Sequence, residues 1–225
     1  VWNIGRHHPD RVIALANLCV PYNTLECGWP GILPHVDRAL YPEDEYPAGQ
    51  WEYQRFYEER FEDATRAFDA DPRAVCKLLF RRGNPDGEGQ IAATATTRQL
   101  GGWFGGGPAP QVPRDEQVLT EADLDRYAES LARNSFFGPD SYYMNHERNE
   151  AYSNEKPDQQ LAMPVLFVHA AYDYVCETLT STLAEPMRAL CSQLSEQTIP
   201  SGHWVAQERP QALNLILSSW LENIG

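Results

Sequence analysis

Val165-Leu166-Phe167-Val168-His169-Ala170, entered through Pro164, is a short and almost wholly apolar run. Such a run is the pattern of a strand buried on both faces, as strands of a parallel sheet are. Val12 to Val20 (V-I-A-L-A-N-L-C-V), ending at Pro21, reads the same way. Two neighbouring parallel strands need a crossover of only about a dozen residues, yet the whole of 21–164 lies between these two. A large insertion is therefore expected there. Beyond the second strand, Thr180 to Leu194 is predicted as an amphipathic helix, Glu196 to Ile199 as a third short strand and Arg209 to Glu222 as a closing helix. Strand and helix alternating in this way form the tail of a doubly wound α/β sheet, and three strands are too few to complete one.

The insertion has a different texture. Gln50 to Phe68 places Tyr53, Phe56, Tyr57, Phe61, Ala64 and Phe68 at three- and four-residue spacings, the period of one helix face. Asp71-Pro72 opens another helix through Phe80, and Thr120-Glu121-Ala122-Asp123 is a capping box for a third through Ala132. The glycine-rich 101–108 segment lacks the Lys-Ser/Thr ending of a phosphate cradle and reads as a linker. The insertion is thus a helical cap.

Composition narrows the function. With 42% hydrophobic and 11% aromatic residues the chain can pack a core. A net charge of −14 excludes nucleic acid and anionic membrane as natural partners, since phosphate binding needs concentrated Lys and Arg. A small uncharged or cationic ligand is expected instead. No apolar run reaches the roughly 20 residues of a membrane span, and Val1 to Arg6 does not form a signal peptide. Cys19, Cys27, Cys76, Cys176 and Cys191 contain no C-x-x-C pair; an odd count fits unpaired thiols and a cytoplasmic setting. The six histidines show no ligand spacing, His169 reads as a packed strand residue, and no nucleotide fingerprint occurs, so neither metal nor cofactor is expected.

Asp173 and His203 are the sharpest chemical pair. Asp173 follows the strand ending at Ala170, and His203 follows the last strand in Pro200-Ser201-Gly202-His203-Trp204. Sites in open parallel sheets form at the C-terminal strand ends. An Asp bonded to a His fixes its tautomer and stabilises its charged form, so that the His can take a proton from a nucleophile or a water. Acid before histidine, on the last two strands, is the chain order of α/β-hydrolases.

Here a resemblance becomes specific over nearly the whole chain. His8-Pro9-Asp10-Arg11-Val12, with Val20-Pro21-Tyr22 after the strand, resembles the stretch that follows the nucleophile helix of epoxide hydrolases. Trp51-Glu52-Tyr53-Gln54-Arg55-Phe56-Tyr57 is similar to their first cap helix, whose tyrosine holds the epoxide oxygen, and Phe137 to Asn149 to the later motif with the second tyrosine. The resemblance puts Tyr53 and Tyr143 in those roles. Tyr142 stands where the family usually has tryptophan and Met144 where it has arginine, which keeps Tyr142 as the other candidate.

The resemblance implies an incomplete α/β-hydrolase fold with core at 1–34, helical cap at 35–156 and core again at 157–225. It implies a small apolar epoxide and water as reactants, with Asp173 and His203 serving the hydrolysis of an Asp-ester intermediate. No Gly-x-Ser-x-Gly or Gly-x-Asp-x-Gly turn occurs in these residues, and the chain opens on Val1 inside a helix. A cut chain without its nucleophile, inactive alone, is expected. Haloalkane dehalogenases, which hold halide with indole or amide N–H, serine esterases of the same fold, and a non-catalytic remnant are the alternatives.

Overall fold

The computed structural model describes residues 1–156 and 158–224. Helix α1 (Trp2–His7) leads to strand β1 (Leu15–Leu18) and the single turn α2 (Trp29–Ile32). Then come α3 (Glu52–Asp69), α4 (Pro72–Leu79), α5 (Ala93–Thr96), α6 (Glu121–Asn134) and α7 (Phe137–Ser141). The order closes with α8 (His146–Asn154), β2 (Leu161–Ala170), α9 (Glu185–Leu190), β3 (Cys191–Ile199), α10 (Val205–Glu208) and α11 (Pro210–Leu221). The chain divides into a sheet unit (Val1–His35, Gly83–Pro85, His146–Gly225) and a helical unit (Val36–Arg82, Asp86–Asn145).

In the sheet unit the three strands lie parallel in the order β1-β2-β3. Strand β2 is central, and alternation along it supplies two cores. Val165 and Phe167 pack with Trp2, Leu15 and Met187 on one side. Leu166, Val168 and Ala170 pack with Ile199, Val205 and Leu213 in a second cluster. A strand apolar at nearly every position is what two buried faces require, and its one polar side chain, His169, is buried with its ring nitrogens bonded to Thr178 and Glu196.

The elements around it differ from expectation in instructive ways. Only Leu15–Leu18 of the apolar run 12–20 pairs as strand. Cys19 sits at φ 63, and Asn17 Nδ2 donates to the Val20 carbonyl at 2.6 Å, so the chain turns out of the sheet there. The helix expected over 180–194 shrinks to α9, which begins with Pro186 in its first turn. Before it, the Glu177 carboxylate accepts the N–H groups of Leu179 and Thr180 and builds a turn. After it, Cys191 pairs with Leu161, so β3 spans Cys191–Ile199 instead of 196–199. The closing helix, by contrast, lies where expected: α11 spans Pro210–Leu221, with Arg209 (φ −133) as its N-cap and Pro210 at its first position.

In the helical unit, α3 buries Tyr53, Phe56, Tyr57, Ala64 and Phe68, the expected face, with a break at Arg60 (φ −139, ψ 41). Asp71 caps α4 through Ala74 N–H at 2.9 Å, and Thr120 with Asp123 closes the capping box of α6. The glycine-rich segment is more than a linker: Trp103 and Phe104 stack against Phe68. The sequence places 146–156 with the cap, whereas α8 lies with the sheet unit. Its Ser153 donates to the Glu26 carbonyl at 2.7 Å, and Gly28 leaves no room for a Cβ against the His146 carbonyl. The boundary position Pro157 and the terminal Gly225 lie outside the described residues. No helix among the described residues is long and apolar enough to cross a membrane.

Candidate active site

The sequence-derived residues fall into two pairs, one in each unit. In the sheet unit, His203 Nδ1 lies 2.7 Å from Asp173 Oδ2. The other carboxylate oxygen, Oδ1, accepts the N–H groups of Val175 at 3.2 Å and Cys176 at 3.1 Å. Those two bonds lock the buried acid in place while it holds the imidazole. Tyr172 N–H to the Ser201 carbonyl, 2.9 Å, ties the loop after β2 to the loop after β3. With Nδ1 donating to the carboxylate, Nε2 is the nitrogen left for proton transfer, and the side chain is 46% exposed, open to a water.

Burial pulls the His203 pKa down, but the hydrogen bond to Asp173, then contact with Cys19 and the charges of both, raise it to about 10. A group whose folded pKa is raised stabilises the fold fully below its unfolded value, near 6.5, and loses that contribution as pH rises towards 10. The Tm of the chain is therefore expected to fall between pH 7 and 10. The fall should be smaller in His203→Gln; equal slopes in the two proteins would contradict the assignment.

A second carboxylate shapes the same loop. Glu208, in α10, is buried, and its Oε2 accepts Gly202 N–H at 2.8 Å and Gly83 N–H at 3.0 Å. Gly83 belongs to the short excursion Gly83–Pro85 that rejoins the sheet unit. Glu208→Ala leaves the buried Gly202 N–H without a partner, at about 1–3 kcal/mol, and frees the part-buried Gly83 N–H as well, while Glu208→Gln keeps an acceptor and costs less. Urea unfolding of the two variants reads the difference. A Cβ added at Gly83 would come within 2.4 Å of Gly202 N and 2.7 Å of Tyr172 Cβ. Gly83→Ala must push the His203 loop, with an expected loss of about 1–3 kcal/mol of stability and a broadened His203 ring signal in NMR.

In the helical unit, Tyr53 of α3 and Tyr143, in the turn after α7, meet edge to face with ring centroids 5.2 Å apart. Tyr142 is 67% exposed and meets Tyr143 edge-on at 5.6 Å, while it is Tyr143 that meets Tyr53. Three neighbours that the sequence reading does not assign to the site surround the pair. Tyr57 stacks parallel on Tyr143 at 5.2 Å, and Trp103 sits edge-on to Tyr53 at 5.4 Å. Gln54, wholly buried, donates from Nε2 to the Tyr53 hydroxyl at 2.9 Å. Such a bond occupies a phenol lone pair and leaves its O–H to point at an acceptor. Asp140 is buried beside Tyr57, takes a hydrogen bond from Thr65 at 3.0 Å, and is pushed up to about 6 by burial. Burial, then that carboxylate's charge, raises the Tyr57 phenol well above its ordinary value.

No family profile matches the chain. Bifunctional epoxide hydrolase 2 of Sus scrofa is 28% identical over 223 residues, covering 99% of this chain and 37% of that protein. Epoxide hydrolase A of Mycobacterium tuberculosis is 25% identical over 230 residues, covering all of this chain and 66% of its own length. The crystal structure of epoxide hydrolase A from Mycobacterium thermoresistibile superposes with a TM-score of 0.72 at 27% identity, covering 98% of this chain and 65% of that one. The relatives of this chain are epoxide hydrolases of the α/β-hydrolase type. The chain thus spans just over a third of the pig protein and about two thirds of the mycobacterial ones. Its three parallel strands with an inserted helical unit are a partial α/β-hydrolase fold, as the resemblance implied.

Proposed function

We propose that this chain is the cap and C-terminal core of an enzyme that converts epoxides to vicinal diols. Tyr53 and Tyr143 hold the ring oxygen; as the C–O bond breaks and negative charge gathers on that oxygen, one phenol supplies a proton and the other a hydrogen bond. The attacking group is an aspartate at a strand-to-helix turn N-terminal to Val1, which forms an ester with the ring carbon. His203 in its neutral form, aligned by Asp173, then removes a proton from water, whose oxygen adds to the ester carbonyl and releases the diol; because its pKa is raised to about 10, this step speeds up as pH rises towards that value. Both reactants are small and carry no charge, in keeping with an acidic chain; five free thiols accompany a cytoplasmic setting.

The observation that carries this reading is the Tyr53–Tyr143 pair. An Asp–His pair serves esterases and dehalogenases equally, but ring opening of an epoxide gathers charge on the ring oxygen itself, which two phenol O–H groups can stabilise and protonate, whereas esterases meet charge on a carbonyl oxygen with backbone N–H groups. The test is turnover by the protein extended N-terminally through its nucleophile turn, offered epoxides, chloroalkanes and carboxylic esters in parallel. Diol formation from epoxides alone supports the proposal. Halide release or ester cleavage as the main activity moves it to the corresponding alternative. The 225 residues by themselves should show no turnover, and an epoxide-to-diol rate that His203→Ala abolishes would overturn that part.

A further inference from the structure

Cys19, Asp173 and His203 are far apart in sequence and show no ligand spacing. The fold puts each just beyond the C-terminal end of one of three adjacent parallel strands: Cys19 after β1, Asp173 after β2, His203 after β3. Their thiol sulfur, carboxylate oxygen and ring nitrogen all lie within 4.8 Å of one another. We propose that these three side chains form a site for one borderline-soft divalent cation of the zinc kind.

The donor set is the first argument. Thiolate, imidazole and carboxylate are the three ligand types that zinc takes, and three protein ligands with a water in the fourth position make an open tetrahedral site. Hard cations such as magnesium prefer oxygen alone. Preorganisation is the second. Cys19 is fixed in the left-handed region at φ 63, which a non-glycine residue holds only where its surroundings impose it, and its N–H donates to the Val168 carbonyl at 3.1 Å. Asp173 is anchored through Oδ1 by two backbone N–H groups, the outer-shell support that ligating carboxylates carry, so Oδ2 can exchange its 2.7 Å hydrogen bond from His203 Nδ1 for the ion without loss of the loop's anchor. Access is the third. Cys19 and Asp173 are 3% exposed, which shields the ion, while the half-exposed His203 leaves a way in.

The proton balance is explicit. The ion displaces the hydrogen between His203 Nδ1 and Asp173 Oδ2, the half-exposed ring swinging out so that the 2.7 Å gap widens to roughly 3.3 Å as two tetrahedral zinc bonds require; that hydrogen moves to Nε2 when the ring is neutral or leaves to solvent when the ring is charged. The Cys19 thiol loses its proton to solvent as well. Because binding releases protons, uptake strengthens with pH. If Asp173 and His203 act as proposed above, an occupied site has no free base and hydrolysis stops. That consequence rests on the proposed function; binding itself does not.

The test is spectroscopic and needs no turnover. Cadmium titrated into the full chain is expected to raise a thiolate-to-metal charge-transfer band that saturates at one equivalent. The band should vanish in Cys19→Ser and weaken about tenfold or more in His203→Gln. Zinc added to the wild-type chain should abolish the His203 Nδ1 proton resonance. No band in the wild-type chain, or a band of undiminished height in Cys19→Ser, overturns the proposal. Where Cys19→Ser fails to fold, the Nδ1 resonance decides alone: its persistence at saturating zinc overturns the site.

Discussion

Replacing His203 by Ala in the N-terminally extended protein is expected to lower steady-state diol formation by about 1,000-fold or more and to leave the enzyme stalled as its ester. General-base catalysis by a positioned imidazole is worth about 100- to 10,000-fold, and here it acts on the second step only. Ring opening should therefore proceed normally once, giving a burst of epoxide loss equal to the enzyme concentration, followed by almost nothing. Asp173→Asn should behave similarly. The 2.7 Å bond to Nδ1 demands an acceptor, and an amide there favours the wrong tautomer; the equivalent change in serine-protease triads costs about 10,000-fold. Rapid-quench kinetics separates the steps. A slowed burst with a normal steady state would show that His203 acts in ring opening instead.

Tyr53→Phe and Tyr143→Phe are expected to fail at the opposite step. Each removes one donor from the developing alkoxide, a loss of about 100- to 1,000-fold in the rate of ester formation, with little change in the hydrolysis of an ester already made. The double variant should lose less than the product of the two, because one remaining phenol partly serves both roles and groups acting as a unit are not additive. Tyr142→Phe, at an exposed position, should leave the burst unchanged. Gln54→Leu should fall between, since it removes the donor that orients the Tyr53 hydroxyl. A double variant whose burst matches the wild type would remove the phenols from the mechanism.

Legibility in the sequence followed the physics of each element. The β2 run was unmistakable because both its faces are buried, so apolar side chains fill it apart from His169, whose ring nitrogens are paired with Thr178 and Glu196. The α3 face was equally clear, since aromatic residues three and four apart can share only one side of a helix. Strand β3 was half hidden: its polar residues Ser192, Gln193 and Ser195 lie at an edge, and an edge strand carries no apolar signature. The dyad could be read from position and chain order, because strand ends are fixed by topology.

Other contributors were not legible. Trp103 sits in a glycine-rich stretch whose composition says loop, although the glycines at positive φ fold it back onto Phe68 and Tyr53. Gln54 adjoins Tyr53, and adjacent helix residues do not normally face each other, so no spacing rule pairs them. Nothing in the sequence marks Gly83, and only the crowding of its missing Cβ against Gly202 reveals its place. Cys19 lay inside an apolar run as one more small side chain; its company of Asp173 and His203 is a product of the parallel strand order alone.

The most direct measurement is intact-protein mass spectrometry of the N-terminally extended His203→Ala variant after exposure to an epoxide. The account predicts an adduct heavier by one whole epoxide, stable over minutes, mapping to an aspartate upstream of Val1 and reduced in the Tyr53→Phe background. An unmodified protein, or an acyl adduct on a serine formed only with esters, would contradict it.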